Sequence, residues 1–247
     1  MTAVSPGWAG PATATDRADP CHSAGALPAR VGEAHDGDVD EREQLVAELR
    51  DQGITDETVL LALRTVPRDA FVQPRYRGAA WENHPLPIGH DQTISQPFIV
   101  ALMTQVLELS PGDTVLDVGT GCGYQAAILA ELGCQVFGIE VLPTLADQAS
   151  NTLATLGYAV DVVAGDGRNG RPEHAPYDGI VVAAASRDIP SALLEQLRPP
   201  APGARGGRLV IPLTQSDGQV LVLVERVADG YRRRDLERVR FVPLIGT

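Results

Sequence analysis

Val115-Leu116-Asp117-Val118-Gly119-Thr120-Gly121-Cys122-Gly123-Tyr124 is the stretch that decides how this chain folds. A short apolar run, as a buried strand requires, leads directly into three alternate glycines and then into a helical pattern. Glycines at such a turn let the backbone take positive φ and let a ligand approach the main chain with no Cβ in the way. The spacing departs from the dinucleotide fingerprint. The third glycine follows the second by two residues, whereas the pyrophosphate-binding turn places it three after.

Working outward, the pattern alternates between types. The reading predicts helices over 97–109, 124–132, 142–156 and 189–196, and strands over 114–118, 135–139, 160–163, 179–183 and 208–212. Strands alternating with helices specify an open, mostly parallel sheet covered on both faces. Toward the end, strands over 219–226 and 238–242 follow without an intervening helix, which predicts an antiparallel pair at one edge. Before the alternation, Leu45, Val46, Leu49 and then Val59, Leu60, Leu63 recur at helical spacing on either side of Gly53 and the cap-like Thr55 and Asp56, from about Asp40 onward. This is a helical N-terminal addition. Residues 71–95, with three prolines and two glycines, read as an ordered segment with little regular structure, and such loops are often functional. Residues 1–38 have almost no large apolar side chains and no periodicity. They are expected to be a disordered tail, leaving 39–247 as a single domain. No internal repeat is present.

The chain is 247 residues long, and all 20 basic residues are arginine against 32 acidic ones, a net charge of −12. That sign opposes a general nucleic-acid binder. Cys21, Cys122 and Cys134 match neither a disulfide framework nor a zinc ribbon. With no long apolar run and no signal-like N-terminus, a reduced, cytoplasmic protein is expected, without membrane or nucleic-acid partners and monomeric.

Three acidic residues fall at successive strand ends: Asp117 before the first glycine, Glu140, and Asp166 in Gly165-Asp166-Gly167. Ligands of open α/β sheets bind beyond the carboxyl ends of strands. A carboxylate beside a tight glycine loop suits S-adenosyl-L-methionine, whose amino-acid end carries an ammonium and no phosphate. Glu140 stands where a ribose diol would be gripped, and Asp166 where an adenine amino group would donate. Singly, each acid is as well read as a helix cap or turn former. Together, Asp117, Gly119, Thr120, Gly121, Cys122, Gly123, Glu140, Asp166 and Gly167 form the candidate cofactor set.

From about Asp40 to Thr247 the chain resembles the protein-L-isoaspartate (D-aspartate) O-methyltransferases. The residues that carry the likeness are Val66-Pro67-Arg68 with Phe71-Val72, Pro85-Leu86-Pro87-Ile88-Gly89, Gln92-Thr93-Ile94-Ser95-Gln96-Pro97, the glycine loop with Tyr124-Gln125, Gly165-Asp166-Gly167, Ala175-Pro176-Tyr177-Asp178, and Phe241-Val242-Pro243-Leu244. The resemblance implies a Rossmann-like methyltransferase fold. It implies methyl transfer from S-adenosyl-L-methionine to the free carboxylate of L-isoaspartyl residues in damaged proteins and peptides, the ester then closing to a succinimide whose hydrolysis returns some aspartate. It also assigns Ser95 as catalytic and the loop from Ile88 and Gly89 through Gln92, Thr93 and Ile94 as substrate-binding, with no metal. Cys122 stands where the family usually has a small hydroxyl residue, and Trp81 where it usually has Tyr.

The chemistry accounts for the lack of an obvious base. A carboxylate, with an unperturbed pKa of about 4, is already ionised at neutral pH. The reaction needs the oxygen held in line with the methyl–sulfur bond at roughly 3 Å and partly stripped of water. Ser95 can orient the carboxylate with one hydrogen bond, and amides at the start of the Pro97 helix can add donors. Ser95 can equally serve as that helix's N-cap, and His84 and His90 read as loop-packing or surface histidines. The arginine- and proline-rich run 198–205 is longer than a tight turn and is expected to bulge from the surface. The net charge opposes an anionic substrate at long range, so specificity must come from short-range donors, and screening limits the penalty to about a Debye length of 8 Å at physiological salt. Two alternatives remain at this point: a dedicated carboxyl methyltransferase acting on an aspartate of one peptide, as in peptide natural-product maturation, and a non-catalytic S-adenosylmethionine-binding module.

Overall fold

The computed structural model describes residues 36–246, so the expected disordered tail lies outside the described residues except for 36–38. Those three already belong to the first helix, α1 (Asp36–Asp51), which starts earlier than its apolar stripe. Helix α2 (Glu57–Thr65) is capped by Asp56, whose carboxylate accepts from the Thr58 and Val59 amides at 2.9 and 3.3 Å. The turn between the two helices is pinned to α3 (Pro97–Leu107) by Gln105, whose side-chain oxygen accepts from the Thr55 and Asp56 amides at 2.7 and 2.8 Å. Leu45, Val46, Leu49, Val59, Leu60 and Leu63 are all buried, as their spacing requires.

The segment read as irregular holds more structure than expected. A 3₁₀ turn (Arg68–Phe71) leads into it, and it contains a second (Pro74–Ala79) and a small antiparallel hairpin of β1 (Leu86–Gly89) and β2 (Gln92–Ile94). Its prolines hide it, since strand patterns are ordinarily discounted around proline.

The remaining elements are β3 (Thr114–Val118), α4 (Tyr124–Glu131), β4 (Gln135–Glu140), α5 (Pro143–Thr155), β5 (Val160–Ala164), β6 (Gly179–Val182), α6 (Ser191–Glu195), β7 (Arg208–Gln215), β8 (Gly218–Val227) and β9 (Gly230–Val239). Seven strands form one sheet in the order β5-β4-β3-β6-β7-β8-β9. The first five are parallel and the last two antiparallel, the architecture the alternation predicted. Strand β9 begins at Gly230, well before the expected 238. Its exposed Arg, Asp and Glu residues mask it, and charge of this kind is what protects an edge strand from unwanted pairing. The 198–205 run is largely exposed, as expected, and Arg205 pairs there with Glu108.

Strands β3 and β6 are buried on both faces, and alternate residues feed two cores. Val115, Val136, Val181 and Val210 pack with α1 to α5, whereas Leu116, Ile139, Ile180 and Leu209 pack with Tyr177, Leu193 and Leu197. The chain leaves β3 toward β4 and β5 on one side, then returns to β6 and β7 on the other. This reversal opens a crevice beyond the carboxyl end of β3, where open α/β sheets bind ligands. Among the described residues no helix is long and apolar enough to cross a membrane.

Candidate active site

The crevice is a cleft lined by the glycine loop, the β1–β2 hairpin with Ser95, and residues 242–245. Its floor is the glycine loop after β3. The Gly119 amide donates to Ile139 O at 2.8 Å, which ties the loop to β4. Gly123 turns the chain into α4 at φ 94°, and a Cβ there would lie 3.0 Å from Leu153 Cδ1, so both conformation and space demand glycine. Glu140, at the end of β4, is 5% exposed. One of its oxygens accepts from the Gly121 amide at 2.8 Å and the other from the Leu142 amide at 3.1 Å. Each oxygen keeps a second lone pair for a hydroxyl donor.

Asp117 behaves differently. Both of its carboxylate oxygens are buried without a hydrogen-bond partner among the described residues. Burial, and then the nearby charge of Glu140, push its carboxyl up to about 7. It does not itself line the cleft. The third acid, Asp166, caps the 3₁₀ turn Gly167–Asn169 and is engaged by Arg168 through both oxygens, with Nη2 at 2.6 Å from Oδ2. Arg168 holds that carboxyl below its usual range, so the carboxylate expected to be free for an adenine amino group already has a partner. Gly167, next to it, does line the cleft.

Ser95 stands opposite the glycine loop, directly after the hairpin. The N-cap of α3 is Gln96, and the first-turn amide of Phe98 is met at 3.0 Å by the side-chain oxygen of Asn83. The capping reading of Ser95 is therefore overturned: the cap contact comes from a distant loop. Its main chain is anchored from behind, where Arg68 Nη2 donates to the Ser95 carbonyl at 2.8 Å. Ile88, Gln92, Thr93 and Ile94 join Ser95 on this wall, and Gly89 does not.

A model of the protein-L-isoaspartate(D-aspartate) O-methyltransferase family matches residues 40–247. The chain belongs to this family. The protein-L-isoaspartate O-methyltransferase of Aeropyrum pernix is 50% identical over 213 residues, covering 83% of this chain and 79% of its own. That of Gloeobacter violaceus is 48% identical over 199 residues, covering 80% and 94%. A solved structure of a protein-L-isoaspartate O-methyltransferase superposes with a TM-score of 0.75 at 27% identity, covering 83% of this chain and 66% of that one. A Plasmodium falciparum protein solved with S-adenosyl-L-homocysteine shares the fold, with a TM-score of 0.71 at 22% identity, covering 83% and 99%. With the family come the expected fold class, isoaspartyl carboxyl methylation as the activity, and S-adenosyl-L-methionine as the methyl donor.

In this family member the sequence-derived set and the cleft coincide at Ser95, Ile88, Gln92, Thr93, Ile94, Gly119, Thr120, Gly121, Cys122, Glu140 and Gly167, while Asp117, Gly123, Asp166 and Gly89 stand behind or beside the walls. Cys122 contributes a neutral surface, because burial pushes its thiol up to about 11. His84 and His90 do not line the cleft. His84 is bound by Glu82 at 2.7 Å and by Pro85 O at 3.0 Å, in keeping with a surface role. Sequence reasoning missed the roof, residues 242–245, and Ala183 and Ala184 beneath it. The roof is clipped in place: the Ala185 amide donates to Val242 O and the Leu244 amide to Ala185 O, both at 2.7 Å, while Gln219 brackets Phe241. The motif Phe241-Val242-Pro243-Leu244 was the available signal, but nothing local says that it folds back over β6.

Proposed function

We propose that this cleft binds S-adenosyl-L-methionine along the glycine loop and Glu140 and presents an isoaspartyl carboxylate to it from the Ser95 wall. The residues fit the cofactor. Glu140 has two oxygens with lone pairs to spare for a diol, and Asp117 is a buried carboxyl with no partner, whose ionisation an ammonium group would favour. When bound, the cofactor supplies an electrophilic methyl on a sulfonium. Ser95 donates one hydrogen bond to the substrate carboxylate and leaves a lone pair free to attack. Ile88, Ile94 and Val242 exclude water, which raises the reactivity of the carboxylate. No residue needs to accept a proton, and the neutral Cys122 thiol and the outlying histidines are consistent with that.

The observation that carries this reading is that Ser95, released from helix capping by Asn83, shares one cleft with the glycine loop. The test is methyl transfer from labelled S-adenosyl-L-methionine to two synthetic peptides that differ only in Asp versus isoAsp. Ester is expected on the isoAsp peptide alone, with Ser95→Ala losing about 10- to 100-fold in kcat/KM, the worth of one hydrogen bond to a charged group. Methylation of neither peptide by a protein that binds the cofactor would refute it.

A further inference from the structure

Behind the Ser95 wall lies a charge that the fold leaves uncompensated. Arg68 is fully buried, and its Nε and Nη1 have no hydrogen-bond partner among the described residues. Among the described residues its Nη2 donates to two main-chain oxygens, Ser95 O at 2.8 Å and His84 O at 3.4 Å, and the Tyr124 hydroxyl, which is neutral, lies close by. Its guanidinium lies over the ring of Tyr124, 4.8 Å from the centroid. Tyr124 and Cys122, its closest titratable neighbours, are both kept neutral by burial. Arg68 forms no ion pair with Asp69 among the described residues, and one of that residue's oxygens is itself buried without a partner. An isolated buried cation is costly, and a chain of net charge −12 has carboxylates to spare for such a site.

Position supplies the missing anion. Ser95, Tyr124 and Cys122 all line the cleft, so only neutral, low-dielectric groups separate the guanidinium from it. Glu140 lines the cleft and Asp117 lies behind it, and both Asp117 and Arg68 act on Cys122, so charges of both signs flank the cleft from behind its neutral lining.

Resting on the function proposed above, we propose that Arg68 is a specificity-determining positioning residue whose counter-ion is the carboxylate of the isoaspartyl substrate. Through the Ser95 carbonyl it fixes the wall, and through its field it favours a charged substrate group over a neutral one. This is how a strongly acidic protein attracts an anion at short range.

The experiment is a double-mutant cycle read by binding, without turnover. Protein saturated with S-adenosyl-L-homocysteine is titrated with a fluorescent isoAsp peptide and with the same peptide whose α-carboxylate is converted to a carboxamide. Wild type is expected to prefer the carboxylate by about tenfold or more, the scale of one charge pair at intermediate dielectric. Arg68→Met should bring the ratio near one while binding S-adenosyl-L-homocysteine normally and melting no lower than wild type, because it removes an unpaired buried charge. Arg68→Lys should keep most of the ratio. Arg68→Gln gives the same neutral comparison if Arg68→Met does not fold. An unchanged ratio in the neutral variant, or a ratio lost equally in Arg68→Lys, overturns the inference. So does wild type that binds both peptides equally, whereas wild type that binds neither refutes the reading of the cleft itself.

Discussion

Asp117 offers a quantitative test of how the site stores charge. Burial pushes its carboxyl up to about 7 in the folded protein, against about 4 for an aspartate in the unfolded chain. Between those values the native state holds a proton that the unfolded chain has released. Stability of the ligand-free protein therefore falls as pH rises from about 4 to about 7 and is level above. The span of about 3 units, at 1.36 kcal/mol each, amounts to about 4 kcal/mol. Asp117→Asn keeps the shape and removes the titration. Its unpartnered amide costs about 1–3 kcal/mol at every pH, so the diagnostic quantity is the slope. Urea denaturation from pH 4.5 to 8 should show wild type losing about 3 kcal/mol relative to Asp117→Asn across that window. Glu140→Gln should shrink the loss, since the charge of Glu140 is the second cause of the shift. Parallel profiles for wild type and Asp117→Asn would refute the claim that this carboxyl is buried without a partner.

Three further outcomes follow from the geometry. Asn83→Ala removes the contact to the Phe98 amide and should cost about 0.5–2 kcal/mol by thermal or chemical denaturation, with kcat falling further because the start of α3 sets Ser95. Gly123→Ala forces an L side chain into φ 94° and against Leu153, so a loss of about 1–3 kcal/mol is expected, together with weaker cofactor binding by calorimetry. Gln219→Ala releases both bonds to Phe241, and hydrogen exchange of the amides of residues 242–245 should speed up while KM for the peptide rises, with the global unfolding midpoint nearly unchanged.

The sheet was legible because its signals are local. An apolar run ending in alternate glycines, and apolar periods that switch between two and about 3.6 residues, need no knowledge of what packs where. The failures have physical causes of their own. The β9 arginines look like a solvated loop, yet they form the charged edge of a sheet whose pairing energy comes from β8. The β1–β2 hairpin is too short and too rich in proline to show a period. The roof over the cleft depends on main-chain bonds to Ala185, between residues almost sixty positions apart, which no local pattern encodes.

The three acids show where sequence reasoning about a site stops. Their positions at successive strand ends were correct, and by residue type they look interchangeable. The fold gives them three different electrostatic states. Asp166 is committed to Arg168, Glu140 is half satisfied by two amides, and Asp117 has nothing. What separates them is which donors the loops happen to bring: Arg168 arrives two residues along the same turn, the Gly121 and Leu142 amides come from the loops after β3 and β4, and the Thr120 hydroxyl beside Asp117 donates to its main-chain carbonyl. Arg68 is the converse case, a cation quoted within a motif whose importance lies in the carboxylate that is absent beside it. A carboxyl lacking a donor and a guanidinium lacking a counter-ion, both behind the lining of one cleft, make it complementary to a pair of ligands of opposite charge. An ammonium-bearing cofactor and a carboxylate substrate are such a pair.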